Sequence, residues 1–204
     1  MSRIRTARTT TRETTGPGVV GLAAVALVLG ILVSLSAGFT GVSIGDLVHG
    51  RGGPVAEGDG GLPDSATVFD DRYPGVANLD PELLHALRAA AADAARAGVT
   101  FQVSSGWRAR AYQERLLREA KVKYGSEREA ARWVAPADKS AHVAGHAVDL
   151  VSSDGGAWLA AHGAGYGLCQ IYRNEPWHHE LRAAAIEHGC PAMYADASED
   201  PRMR

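Results

Sequence analysis

The chain has 204 residues, enough for one domain of ordinary size with its own core and some length to spare. Its 21 basic and 23 acidic side chains give a net charge of −2, a balance that does not suggest a nucleic-acid groove, which needs clustered positive charge. Internal repeats are absent, although alanine-rich stretches give a superficial self-similarity.

The spare length lies at the N-terminus. Arg3, Arg5, Arg8 and Arg12 precede a segment from Thr14 to Gly45 without a charged residue, and its most apolar part runs from Val19 to Phe39. About 20 apolar residues suffice to span a bilayer, whereas the apolar region of a signal peptide usually has about 7 to 15. Residues 1–18 therefore read as a basic cytoplasmic N-terminus and residues 19–39 as a single transmembrane signal anchor, with the arginines on the cytoplasmic side. Small residues at Ser34, Ser36 and Ala37 also allow a cleaved signal; either way the remainder is exported. Residues 40–64 read as a flexible linker, since Asp46 to Asp64 is rich in Gly, carries two prolines and has little hydrophobicity. Past residue 45 the chain has 17 basic and 22 acidic residues, a net of about −5.

Residues 65–204 read as an α+β domain, a small, mostly antiparallel sheet with helices packed on it. Asp80 and Pro81 suit the N-cap and first position of a helix that Gly98 stops. Val99, Phe101 and Val103 alternate as a strand running into the turn Ser104-Ser105-Gly106. A helix follows from about Ala109 to Lys123, and Ser126 with Glu129 suggests a capping box for a short one before Pro136. Ala147 to Val151 reads as a buried strand, Trp158 and Leu159 as a short helix closed near Gly163, and Gly167–Tyr172 with Trp177–Leu181 as a strand pair.

Two segments carry chemistry: Ser140-Ala141-His142-Val143-Ala144-Gly145-His146-Ala147-Val148-Asp149 and Glu175-Pro176-Trp177-His178. An ionised Asp149 in a buried strand requires a paired charge or a cation. With His142 and His178 it makes a three-ligand set that leaves a fourth tetrahedral position open, the arrangement of a catalytic zinc. Singly, any of these residues reads more simply as a satisfied core or loop side chain; together, the two segments favour the metal.

These residues resemble the zinc D-alanyl-D-alanine carboxypeptidases of the VanY type, which share a fold with the hedgehog signalling domain. The resemblance rests on Ser-x-His-x-x-Gly-x-Ala-x-Asp at Ser140 to Asp149, Glu-Pro-Trp-His at Glu175 to His178, and Ser105-Gly106-Trp107-Arg108 upstream, in the family's order. It covers roughly residues 65 to 185, with Trp107 where Tyr is commoner. It implies a hedgehog/DD-peptidase-like fold, one Zn2+ held by His142, Asp149 and His178, Glu175 as catalytic base, and Arg108 serving substrate or transition state. Peptidoglycan stem peptide is the implied substrate.

Neighbouring residues compete for some of these roles. His146 follows His142 by four residues, but Gly145 and the ensuing strand argue against a helix that would put both on one face. In a strand from Trp177 to Leu181, His178 reaches the metal only if His179 points away. A His-Glu-x-x-His motif is excluded, because after His179-Glu180 its second histidine would fall at Ala183. Glu175 alone reads as a turn carboxylate; beside His178 it is placed to move protons. Arg108 suits either a bidentate grip on a peptide's terminal carboxylate or stabilisation of an oxyanion. Ser140, Gln113 and Trp177 are further candidates for substrate contact; Ser140 equally suits holding the loop through its hydroxyl, Gln113 suits packing at least as well, and Trp177 suits packing beneath the metal site better than substrate contact. Cys169 and Cys190, both on the exported side, suit a disulfide; zinc ligation is the rival, with the ligand set already complete.

The implied activity is a membrane-anchored, extracytoplasmic zinc D,D-carboxypeptidase that trims the terminal D-Ala from stem peptides. A wall endopeptidase and a hedgehog-like zinc-binding module without turnover are the competing readings.

Overall fold

The structure is a computed structural model and describes residues 55–151 and 153–204. The expected anchor at 19–39, the basic N-terminus and the first part of the linker lie outside the described residues. Among the described residues, no helix is long and apolar enough to cross a membrane.

Four short strands form one antiparallel sheet: β1 (Val103–Ser105), β2 (Ala147–Leu150), β3 (Leu168–Gln170) and β4 (His178–Leu181), in the order β1-β2-β4-β3. The helices are α1 (Pro74–Ala77), α2 (Pro81–Arg96), α3 (Arg110–Tyr124), α4 (Glu127–Ala130), α5 (Ser153–His162) and α6 (Ala185–His188).

Helix α2 starts where Asp80 accepts hydrogen bonds from the backbone N–H groups of Glu82 and Leu83, with Pro81 at the first position. Its inner face, Leu83, Leu87, Ala90 and Ala94, is buried against Phe101, Val103, Val148, Leu150 and Leu168 of the sheet side. Each leucine removed from water there contributes roughly 1.5–3 kcal/mol. Helix α3 buries Tyr112, Leu116 and Ala120 against Ala130 of α4 and Val134. At the start of α4, Ser126 Oγ accepts from the N–H of Glu129, one half of the expected capping box.

Two boundaries differ from the sequence reading. Val99 to Phe101 is not paired as strand; β1 begins at Val103, whose N–H instead bonds Ala66 O at 2.8 Å. Burial alone fixes Phe101, so its place in the apolar alternation did not require a strand. Residues 55–64, read as linker, belong to the folded domain. Asp59 O accepts from Ala109 N at 3.0 Å, and Gly60 lies so close to Trp107 that a Cβ would stand 2.2 Å from its carbonyl oxygen.

The third buried cluster joins Cys169, Ile171 and Tyr172 to Ala185 and Ala197, and so ties the C-terminal segment to the sheet. A Cys169–Cys190 disulfide fastens the same region, with Cα atoms 5.6 Å apart.

Candidate active site

The sheet sets out the site as a row across its strands. Ser105 of β1 pairs with Asp149 of β2, and Asp149 with His178 of β4. Directly opposed residues in an antiparallel ladder point to the same face, so these three side chains lie together. The next pair, Val148 and His179, points to the other face, where Val148 joins the apolar core.

His142 reaches the row from the loop before β2. Gly145, at φ +75°, makes the turn possible: a Cβ there would stand 2.6 Å from Asn78 O. Gly106 is equally constrained, since a Cβ would meet Gly75 O at 2.0 Å, and its carbonyl accepts the Nδ1–H of His142 at 2.8 Å. That bond leaves Nε2 of His142 as the bare nitrogen. The His178 ring is turned the other way. Its Nε2 faces Glu180 Oε1 at 3.2 Å, so Nδ1 is the atom presented to the site.

The donor atoms form a nearly equilateral triangle. His142 Nε2 to His178 Nδ1 is 3.2 Å, His178 Nδ1 to Asp149 Oδ1 is 3.1 Å, and His142 Nε2 to Asp149 Oδ1 is 3.3 Å. A tetrahedral ion with bonds of about 2.0–2.1 Å needs donors about 3.3 Å apart. Two imidazoles and one carboxylate at this spacing fit a small divalent cation, and these residues form the candidate metal-binding group among those described.

Arg108 is buried and tied into the row. Its Nη2 donates to Asp149 Oδ2 at 2.7 Å, Nε to Ser105 Oγ at 2.6 Å, and Nη1 to Gln113 Oε1 at 3.1 Å. Gln113 in turn donates to Ala135 O at 2.9 Å. The sequence offered Arg108 two jobs on substrate; the structure adds a third, holding the outer oxygen of the metal-site carboxylate.

The charges follow from these contacts. Burial opposes ionisation of Asp149, but the two histidines and Arg108 outweigh it and keep its pKa well below the usual carboxylate range. Burial and then the Arg108 charge hold His142 neutral. Burial also works against a charge on His178, yet hydrogen bonds to Asp149 and Glu180 push its pKa up to about 10 without a metal. Glu175 is raised to about 7, chiefly by burial, with the opposing pull of His178 too weak to restore it.

Glu175 Oε2 lies 4.0 Å from His178 Nδ1. It lines a narrow cleft of about 30 Å³ together with Arg108, Gln113, Ser140 and the three candidate ligands. Ser140 is buried there, and its hydroxyl also accepts a long bond from Val143 N at 3.4 Å. Trp177 is half-buried and is not part of the lining; its carbonyl binds Leu150 N and the His179 ring. His146 is exposed and outside the site, and His179 is buried on the opposite face with its pKa lowered to about 4 by burial.

Sequence reasoning passed over Glu180, which shares a strand face with His178 two residues earlier. That spacing was the available signal. Tyr172, Ala197 and Met203 also line the cleft, and the last two come from the C-terminal segment, for which no motif gave a sign.

The family model described as VanY, D-alanyl-D-alanine carboxypeptidase, matches residues 76–184, and the chain belongs to that family of peptidases. Among solved structures, a mutant of the vancomycin-resistance D,D-pentapeptidase VanY from a VanB-type cassette, in complex with Zn(II), superposes with a TM-score of 0.52 at 23% identity. The match covers 56% of this chain and 80% of that one. The LD-carboxypeptidase LdcB superposes with a TM-score of 0.50 at 24% identity, covering 62% of this chain and 70% of that one. Both share the α+β fold. The complex of VanYB with D-alanine-D-alanine gives a TM-score of 0.48 at 26% identity over 54% and 74% of the respective chains. A search of curated proteins gave no match.

Proposed function

We propose that this chain is a zinc D,D-carboxypeptidase that hydrolyses the terminal D-Ala-D-Ala bond of peptidoglycan stem peptides. The observation that carries the reading is the triangle of His142, Asp149 and His178 donors beside the buried Glu175, in a domain of the VanY family. Zinc is favoured by the two-nitrogen, one-oxygen donor set, and the similarly folded VanY structure is a Zn(II) complex.

When bound, zinc supplies a Lewis acid that polarises the scissile carbonyl and the attacking water. Glu175 takes a proton from that water as its oxygen adds to the carbonyl carbon. When the C–N bond breaks, the same carboxyl returns the proton to the departing amine of D-Ala. Its pKa near 7 in the metal-free site fits a group that must both accept and release a proton near neutrality. Asp149 and the histidines fix the site's geometry, and Arg108 holds Asp149 from behind while exposing part of its surface to the cleft.

Residues 19–39 would anchor the enzyme in the bacterial cytoplasmic membrane with the catalytic domain outside, or be removed as a signal to release it; four arginines before the apolar stretch support the orientation. The deciding experiment incubates the purified full chain, zinc-loaded in detergent, with a stem pentapeptide ending in D-Ala-D-Ala and with the corresponding tetrapeptide. Loss of one D-Ala from the pentapeptide alone is expected. Trimming of the tetrapeptide in preference would make it an L,D-carboxypeptidase, and an inert protein with zinc intact would favour a binding module.

A further inference from the structure

The C-terminal segment contributes to the site from beyond the end of the family match at residue 184. Pro201–Met203 forms a short 3-10 turn capped by Asp200, whose side chain accepts from Arg202 N at 2.9 Å. From this turn Arg202 makes a two-pronged contact with Glu180, Nη1 to Oε2 at 2.7 Å and Nη2 to Oε1 at 3.0 Å. Asp200 grips Arg202 Nε from the other side at 2.9 and 3.1 Å, and Tyr172 donates its hydroxyl to Asp200 Oδ2 at 2.9 Å. Glu180 and Asp200 have almost no exposed surface, while Arg202 is partly open to solvent. Arg182 makes a further contact with Glu180 Oε2 at 2.7 Å.

Glu180 is the carboxylate that receives Nε2–H of His178, whose other nitrogen faces the metal site. Outer carboxylates of this kind fix a histidine's tautomer and ring angle and raise its basicity as a ligand. Arg182 holds one oxygen of Glu180 and by itself would leave the carboxylate free to pivot; the fork of Arg202 sets its plane, because planar bidentate pairing fixes both oxygens at once.

We infer that Arg202 is a positioning residue for the metal centre, acting through Glu180 on His178, so that the C-terminal segment is a working part of the site and not a trailing end. The inference rests on the reading that His142, Asp149 and His178 hold zinc. It concerns the orientation of one ligand ring, and it separates Arg202 from the other ion pair that fastens the segment, Arg132 to Asp196 at 2.8 Å, which touches neither Glu180 nor His178.

The test measures zinc affinity of the metal-free full chain by competition with a chelator, and the visible spectrum of the Co2+ form, for Arg202→Met, Arg202→Lys and Arg132→Met. Loss of the carboxylate that partners a ligand histidine typically weakens metal binding by ~10–100-fold; Arg202→Met, which leaves Glu180 in place, should lose about tenfold, the lower end of that range, together with an altered Co2+ spectrum. Arg202→Lys should recover part of the affinity, having charge but no fork. Arg132→Met should stay within about twofold of the parent, because Arg132 is half-exposed and its pair with Asp196 contacts neither a ligand nor Glu180. In a Glu180→Gln background, Arg202→Met should add little, because the two act in series. Equal zinc affinity and an unchanged Co2+ spectrum in Arg202→Met, or in Arg202→Lys if the former does not fold, would overturn the inference. An equal loss in Arg132→Met would also overturn it, by showing that only attachment of the segment matters. A parent chain that binds no zinc would instead bring down the metal-centre reading itself, and this inference with it.

Discussion

Asp149 keeps its charge inside a sheet because Arg108 and the protonated His178 ring donate to its two oxygens, and a lone carboxylate at that position would be expensive. The balance shifts when a metal enters. Without one, His178 holds a proton up to about pH 10, so zinc must displace it. The sign is fixed by the raised pKa: below about 10 the ring is protonated in the free protein and bare when it binds. Zinc affinity should therefore rise about tenfold for each pH unit between pH 6 and 8, with about one proton released per zinc at constant pH, as calorimetry in buffers of different ionisation enthalpy would read. Affinity that does not change with pH would mean that His178 is already neutral. Glu175 gives a separate expectation. Glu175→Gln should keep zinc and fold while losing ~10²–10⁴-fold in turnover, the usual weight of a general acid-base group. Loss of zinc in that variant would make Glu175 a ligand.

At the level of elements, the sheet accounts for what the sequence could and could not disclose. Strand periodicity was enough to place His178 and His179 on opposite faces of β4, while the Glu-Pro-Trp-His motif chose His178 between them. It was equally enough to relate Glu180 to His178, but a carboxylate after two histidines read first as part of a rejected zinc motif. The position of Arg202 was beyond any local pattern, since its contact with Glu180 spans 22 residues of sequence. Val99–Phe101 shows the converse error: apolar alternation marks burial, and the ladder decides which buried residues become strand. The disulfide ties α6 and the C-terminal segment to β3 across a separation of 21 residues. Closing a loop of that size restricts the unfolded chain by about 3 kcal/mol. The Cys169→Ala, Cys190→Ala double variant should lose about 2–4 kcal/mol in urea unfolding; a loss under 1 kcal/mol would show that the buried cluster around Ile171 and Ala185 holds the region alone.

On the scale of the whole molecule, the question is whether the cleft reads the end of a peptide or the middle of one. A carboxypeptidase must recognise a free terminal carboxylate, so amidating the substrate's C-terminus should lower kcat/KM sharply in the parent enzyme. The sequence left Arg108 two roles, gripping that carboxylate or stabilising an oxyanion, and its contacts in the structure bear on the first. Three of its nitrogens already donate to Asp149, Gln113 and Ser105, so little of its five-donor fork is left to be dedicated to a substrate carboxylate. Replacing Arg108 should therefore loosen Asp149 and reduce zinc affinity and turnover on free and amidated peptides by similar factors. If Arg108 were instead the carboxylate reader, Arg108→Met would be nearly indifferent to amidation while keeping its zinc. Parallel kinetics of parent and Arg108→Met on both peptides, with zinc content measured on the same samples, separate the two outcomes. Equal cleavage of both peptides by the parent, at a bond away from the terminal D-Ala, would show that the cleft admits chain on both sides and that the enzyme is an endopeptidase.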